Sequence, residues 1–260
     1  MDLPIRLIST DFDGTLHADH EDPPVPVSLQ QLLGDLQQQG ATWVINTGRD
    51  LTSLMEGMAR ARMQVRPDYL VLVEREIYVH RDHRYEPLAD WNERCTEDHA
   101  RLFERLRPDL PHLARWINDR YDADVYQDPY SPFCLIARRT ADAEAICDYL
   151  ARYCRQAGDV QVVRNDVYAR FAHVGYSKGT ALAEIASRLG VTAEGTFAAG
   201  DHVNDLPMLD PEVAGHLAAP ANAVPEVQAA VREHGGYLCR RPCGHGVEEA
   251  LRRILQAEPT

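Results

Sequence analysis

The sequence predicts an α/β fold, a doubly wound parallel sheet with an α+β block inserted into it. Three observations predict it. Short apolar runs alternate with amphipathic helical stretches near both ends of the chain, and such alternation builds parallel strands with right-handed crossovers. The rhythm breaks after Tyr78 and returns near Ser177. The chain is 260 residues long, enough for a large domain carrying a smaller one. The expected division is 1–79 plus 173–260 for the larger domain and 80–172 for the insert.

The elements follow in order. Arg6 to Thr10 is apolar-rich and ends in acids, as a buried strand would. Asp19 to Pro26 is a polar, Pro-rich loop. Ser28 is placed to start a helix whose Leu29, Leu32, Leu33 and Leu36 share a face, with Gly40 at its end. Ala41 to Asn46 is a second strand, Asp50 begins a helix reaching about Met63, and Tyr69 to Val73 is a third strand. Residues 80–120 are strongly polar, with Trp91, Leu102, Phe103, Leu106 and Trp116 spaced for one or two helices. Strand-like runs at Ala123–Gln127 and Phe133–Arg138 precede a helix over about 141–156, and two more strands meet at an Asn165–Asp166 turn. Ser177 then starts a helix closed by Gly190, GTFAA is a strand, and helices from about Val224 and Gly246 finish the chain.

Composition narrows the function. Hydrophobic residues are 45% and charged residues 26%, ordinary globular values that exclude a disordered or fibrous chain. The net charge of −13 repels phosphate backbones and anionic lipid, so no nucleic-acid or membrane partner is expected. No run approaches the length of a membrane span. The start, MDLPIRLISTDFDGT, lacks the features of a signal peptide, and a cytoplasmic location is expected. Six cysteines form no C-x-x-C pair. Cys239 and Cys243 with His245 fall one ligand short of a structural zinc site, so reduced core thiols are expected. Oligomeric state is not legible.

Three strand ends carry the chemistry. Asp11-Phe12-Asp13-Gly14-Thr15 follows the first strand, Asn46-Thr47-Gly48-Arg49 the second, and Gly200-Asp201-His202-Val203-Asn204-Asp205 the strand GTFAA. Ligands bind outside the carboxyl ends of strands in an open parallel sheet, so the three signals converge. Four carboxylates would meet there: Asp11, Asp13, Asp201 and Asp205. They cannot all ionise without a cation. Mg²⁺, which takes a few carboxylates plus water and substrate phosphate, suits them. A carboxylate attacking phosphorus gives an acyl phosphate, and an acid two residues on is placed to shuttle the proton.

DFDGT (11–15), INTGR (45–49), SKGTAL (177–182) and GDHVNDLPML (200–209) resemble the haloacid dehalogenase superfamily of aspartyl phosphotransferases, in that family's order. The insert is similar to the large α/β cap of its type II (Cof-like) branch. EIYVH, Trp91 and GVEEAL look most like sucrose-phosphate phosphatases. The resemblance implies a Rossmann-like core with a C2-type cap. It implies Asp11 as nucleophile, Asp13 as general acid/base, and Lys178 paired with nucleophile and phosphate. Thr47 and the Gly48 amide would hold the phosphoryl group, with Arg49 and Asn204 also assigned to substrate binding. Mg²⁺ would be held by Asp11, the Asp13 carbonyl and Asp201, with Asp205 behind it. Two departures stand out: His202 where the branch often has Gly or Ser, and Glu74-Arg75-Glu76 where many relatives carry a Gly-containing turn.

The expected function is Mg²⁺-dependent hydrolysis of a small phosphorylated metabolite, a sugar phosphate. Tyr130, Arg138 and Arg164 are the expected specificity side chains of a mobile cap. Two alternatives are weighed. A phosphomutase is faintly suggested by Tyr130-Ser131-Pro132, which resembles the cap of phosphomannomutases without their following Gly-Arg. A non-catalytic binding relic is opposed by the intact acids and Lys178.

Overall fold

The computed structural model describes residues 3–256. In chain order, β1 (Leu7–Thr10), α1 (Val27–Gln38), β2 (Thr42–Asn46), α2 (Leu51–Arg60), β3 (Tyr69–Leu72), β4 (Glu76–Arg81) and β5 (Arg84–Pro87) come first. Next are α3 (Ala89–Leu106), α4 (Leu110–Asn118), β6 (Ala123–Tyr126), β7 (Cys134–Ala137), α5 (Thr140–Ala157), β8 (Val160–Asn165) and β9 (Tyr168–His173). The chain closes with α6 (Lys178–Leu189), β10 (Thr196–Ala199), β11 (His216–Ala219), α7 (Pro225–Glu233), β12 (Tyr237–Leu238) and α8 (Cys243–Gln256). It divides into two compact units, with breaks between Leu88 and Ala89 and between Tyr176 and Ser177.

The larger unit holds an eight-stranded sheet in the order β12-β11-β10-β1-β2-β3-β4-β5. It is parallel from β12 to β3. The chain runs outward from β1 through β2 to β3, then returns on the other side at β10, so the strand order reverses beside β1. That reversal opens a crevice at the carboxyl ends of β1, β2 and β10. The core below it is apolar: Ile8, Phe12, Leu33, Trp43, Ile45 and Phe197 are fully buried. Trp43 satisfies its indole N–H on Thr10 Oγ1 at 3.1 Å, so its large apolar area is buried without an orphan donor. Truncating Leu33 to Ala here would cost about 2–5 kcal/mol.

Two expectations need correction. β4 pairs antiparallel with β3, and β5 antiparallel with β4, so the parallel sheet carries an antiparallel edge and the larger unit extends to Leu88 rather than to residue 79. The physical reason is the turn at Val73 and Glu74, whose φ angles of 45° and 67° send the chain straight back. Arg75 N–H closes the turn on Leu72 C=O at 3.0 Å. Two positive-φ central residues make a hairpin turn that Asn-Gly usually fills, and Val-Glu gives no such signal. Tyr85 then pins β5 down, its hydroxyl donating to Pro67 C=O at 2.9 Å. The second correction is Ser28. Helix α1 starts at Val27 behind Pro26 with no side-chain cap, and the Ser28 hydroxyl donates to Glu248 of α8 at 2.6 Å. Asp50 and Ser177 do begin their helices, accepting from Ser53 N–H and Thr180 N–H.

The smaller unit is a four-stranded antiparallel sheet, β6-β7-β9-β8, with α3, α4 and α5 on one face. Leu102 and Leu106 from α3, Leu113 and Ile117 from α4, and Ile146 and Leu150 from α5 pack on Phe133, Leu135 and Phe171. Strand alternation turns Tyr126, Cys134, Ile136, Tyr168 and Arg170 to the other face. Tyr126 and Ile136 are exposed there, while Arg170 is buried. Trp116 stacks on Tyr149 at 3.6 Å and Trp91 lies edge-on to Tyr176 at 5.2 Å, so both tryptophans serve packing.

Candidate active site

Asp11 follows β1 directly, and its N–H donates to Ala199 C=O at 3.0 Å, which ties the end of β1 to the end of β10. Gly14 turns the chain with φ of 74°, and a Cβ there would collide with the Asp201 carboxylate. A side chain is thus excluded both by backbone strain and by space. At the end of β10, Gly200 is equally confined by Asp205.

Lys178, the first residue of α6, is fully buried. A lysine at a helix N-terminus faces an unfavourable dipole. Two carboxylates offset that: Nζ donates to Asp11 Oδ1 at 2.7 Å and to Asp205 Oδ1 at 2.6 Å. Burial alone would lower the lysine pKa, but Asp11 and Asp205 outweigh it and hold the ammonium charged well above its ordinary range. Asp205 is fully engaged, since its Oδ2 accepts from Asp201 N–H at 2.9 Å and His202 N–H at 3.0 Å. Asn46 supports Lys178 from behind, donating to its carbonyl at 2.9 Å.

Carboxylate oxygens of Asp11, Asp201 and Asp205 lie within 4.8 Å of one another. Among the described residues this is the one such group of His, Cys, Asp or Glu. Burial, against the pull of Lys178, pushes the Asp11 carboxyl well up, and Asp205 and Asp201 push it further. Burial and Asp205 push Asp201 up to about 7, although Thr15 Oγ1 donates to its Oδ1 at 2.7 Å. Three crowded acids against one lysine leave an unbalanced negative charge. Asp11 Oδ2 and Asp201 Oδ2 have no hydrogen-bond donor among the described residues. That donor set is hard, oxygen-only and electron-rich, and it fits Mg²⁺. The Cys239, Cys243 and His245 group forms no such cluster; both thiols are free and buried.

Asp13 stands apart from that group. Arg49 holds its carboxylate in a fork, Nε to Oδ2 and Nη2 to Oδ1, both at 2.7 Å. The same guanidinium donates to Ser53 C=O at 3.0 Å and lies 5.3 Å from the Phe12 ring centroid. Arg49, expected on substrate, is therefore engaged by the protein. Thr47 is buried, and its Oγ1 accepts from Arg49 N–H at 3.2 Å, which leaves the hydroxyl proton for another acceptor. Asn204 donates from its amide nitrogen to Glu74 Oε1 at 2.9 Å, while its buried Oδ1 has no partner among the described residues.

Glu74 is the residue that sequence reasoning passed over, noted there only as a departure. Its N–H donates to Thr47 C=O at 2.9 Å, and its side chain reaches within 3.4 Å of where a Cβ on Gly48 would stand. It joins the second and third motif loops, and its charge adds to the field on Lys178. A two-residue positive-φ turn without Gly or Asn is the signal that could have found it. Such strain of about 1–3 kcal/mol per residue tends to sit at functional sites.

A family model described as sucrose-6F-phosphate phosphohydrolase matches residues 4–254. The chain belongs to this family. In fold, this family member is similar to a sucrose-phosphatase from Synechocystis sp. PCC6803 solved with sucrose and phosphate. The TM-score is 0.74 at 21% identity, covering 95% of this chain and 97% of that one. It is also similar to a haloacid dehalogenase-like hydrolase of Bacillus subtilis, with a TM-score of 0.65 at 17% identity over 98% and 93% of the two chains. A phosphoglycolate phosphatase of Methanothrix thermoacetophila is 28% identical over 141 residues, 54% of this chain. The match spans 60% of that relative's length. These relatives bear the names of phosphatases and of a haloacid dehalogenase-like hydrolase. Among the described residues no helix is long and apolar enough to cross a membrane.

Proposed function

We propose that the protein hydrolyses a small phosphorylated metabolite, a sugar phosphate, through an aspartyl phosphate on Asp11. The observation that carries this reading is the buried Lys178 bridging Asp11 and Asp205. A buried ammonium is costly unless paired, and here it holds one carboxylate ready and keeps a positive charge where phosphate would enter. Thr47 and the Gly48 amide bind the phosphoryl oxygens. Asp13 protonates the leaving oxygen, then takes a proton from the water that opens the acyl phosphate. Asp11, the Asp13 carbonyl and Asp201 would hold Mg²⁺, and Asp205 orients Lys178 and the loop behind it. When bound, the ion neutralises the carboxylates and the incoming phosphate.

The sugar assignment is supported by the description of the matching family and by the sucrose bound in the Synechocystis neighbour. Sugar selection is assigned to the smaller unit, on the sheet face opposite its helices. The test is phosphate release across a panel of phosphorylated metabolites with Mg²⁺, beside the Asp11→Asn variant. A sugar phosphate turned over best by the wild type, with no release by the variant, is the expected result. Wild-type-like turnover by Asp11→Asn would overturn the nucleophile.

A further inference from the structure

The chain is strongly acidic, with a net charge of −13, yet four arginines gather on one cleft between β12 and α8. They are Arg240, Arg241, Arg252 and Arg253, around a volume of about 870 Å³. Two glutamates also line it, and each already carries hydrogen bonds. Glu248 is nearly buried, accepting from the Ser28 hydroxyl at 2.6 Å and from Arg252 Nε at 2.8 Å. Glu249 accepts from the Tyr237 hydroxyl at 2.6 Å, and from Arg240 N–H and Arg241 N–H at 3.2 Å. These bonds draw both carboxylates onto the wall of the cleft.

Only Arg252 of the four is ion-paired. Arg253 lies 4.9 Å over the Tyr237 ring, and Arg241 Nη2 shares a 2.7 Å hydrogen bond with His245 Nδ1. No carboxylate among the described residues pairs with Arg240, Arg241 or Arg253. Three guanidinium groups thus converge with no carboxylate bonded to them among the described residues, and the lining carries four cations against two anions. Packing like charges together is unfavourable unless an anion visits. Guanidinium forks match phosphate oxygens in pairs, and Tyr237 props one fork in place by cation–π contact. The volume is that of a small-molecule site and far exceeds one phosphate.

We propose that this cleft binds a small polyanion carrying two or more phosphate groups. None of its lining residues belongs to the active site, and the proposal holds whatever the active site hydrolyses. The two sites also differ in kind. Without a divalent ion the active site presents crowded carboxylates and repels anions, whereas the arginine cleft needs no metal.

Isothermal titration of the full chain with pyrophosphate in excess EDTA tests the proposal. One-site binding is expected, weakening as salt rises. The Arg240→Gln/Arg253→Gln variant should lose about tenfold or more in affinity. Asp11→Asn and the distant Arg60→Gln should bind as the wild type does. Arg253→Lys keeps the charge and loses the fork, so it should fall between the two, and it serves if the double variant melts early. Three results would each overturn the proposal: no binding at millimolar pyrophosphate, binding indifferent to these arginines, or inorganic phosphate bound as tightly as pyrophosphate.

Discussion

Arg49 grips Asp13 with both arms of its guanidinium, two parallel hydrogen bonds of 2.7 Å across a separation of 36 residues. The fork fixes where the carboxylate points, and a third bond to Ser53 C=O fixes the fork itself. A proton shuttle must hold its geometry and yet exchange a proton. For the shuttle role proposed for Asp13, Arg49 supplies the first requirement and would act as its positioning residue.

Arg49→Lys keeps a cation and loses the fork. General acid–base catalysis contributes about 10²–10⁴-fold, and misplacing the acid should cost about 10–100-fold in kcat on a sugar phosphate. p-Nitrophenyl phosphate needs little leaving-group protonation, so its aspartyl-phosphate formation should suffer least. Pre-steady-state kinetics should then show an initial burst of p-nitrophenol followed by slow turnover. Equal losses on both substrates without a burst would assign Arg49 to folding or substrate binding.

Chelation should abolish phosphate release and added Mg²⁺ should restore it. Full activity in excess EDTA would remove the ion from the mechanism. The same crowding predicts a stability effect. A carboxyl whose folded pKa is raised makes the folded state less stable at every pH above its unfolded value, because the folded site resists losing the proton. Burial raises Asp11 in this way. In EDTA at neutral pH, Asp11→Asn should therefore melt no lower than the wild type. Mg²⁺ should raise the wild-type Tm, by up to about 2.7 kcal/mol of stability at a hundredfold excess over Kd. Differential scanning calorimetry reads both.

The strand-end acids were legible because a parallel sheet brings its carboxyl ends together whatever the loops do. DFDGT, NTGR and GDHVND each follow an apolar run, and β1, β2 and β10 are indeed neighbours. Which partner each polar group takes was less legible. Arg49, expected on substrate, instead meets Asp13, a pairing across 36 residues that local sequence does not display. The β3–β4 hairpin was hidden because Val73-Glu74 is not turn chemistry; its strain is held by Val73 N–H on Arg49 C=O at 3.0 Å and Glu74 N–H on Thr47 C=O at 2.9 Å. Ser28 misled for a related reason. Its hydroxyl finds a buried carboxylate on α8, some 220 residues away, which local sequence does not display.

Glu74 and Asn204 give a stability test. Both are buried, and the 2.9 Å bond between them closes the gap between the turn after β3 and the loop after β10. Glu74→Ala leaves the Asn204 amide without its acceptor, which should cost about 1–3 kcal/mol. Glu74→Gln retains an acceptor oxygen and should recover most of that loss in urea denaturation. Its phosphatase rate should still change, because the field on Lys178 has lost one negative charge. If both variants lose the same stability, the hydrogen bond is not what Glu74 contributes.

The arginines first expected to select substrate have other partners. Arg138 lies 3.6 Å from Asp122 and from Asp124, and Arg164 lies 3.6 Å from Glu144 of α5. Tyr130 sits in a turn where its N–H donates to Asp128 Oδ1 at 2.7 Å. The face of the small sheet opposite its helices is the better candidate for specificity, because the second face of an antiparallel sheet is commonly polar. This one instead carries Tyr126, Ile136 and Tyr168 beside a buried Arg170. Rings flanked by a cation suit a sugar's alternating apolar faces and hydroxyls. Tyr126→Ala and Tyr168→Phe should raise KM for the best sugar phosphate several-fold and reorder the substrate ranking. Arg138→Gln should do neither. p-Nitrophenyl phosphate, with little leaving group to read, should be turned over nearly unchanged by all three. Steady-state kinetics on both substrates side by side decides the matter: proportional losses across the series would make this face structural, and a selective effect of Arg138→Gln would return specificity to the edge of β7.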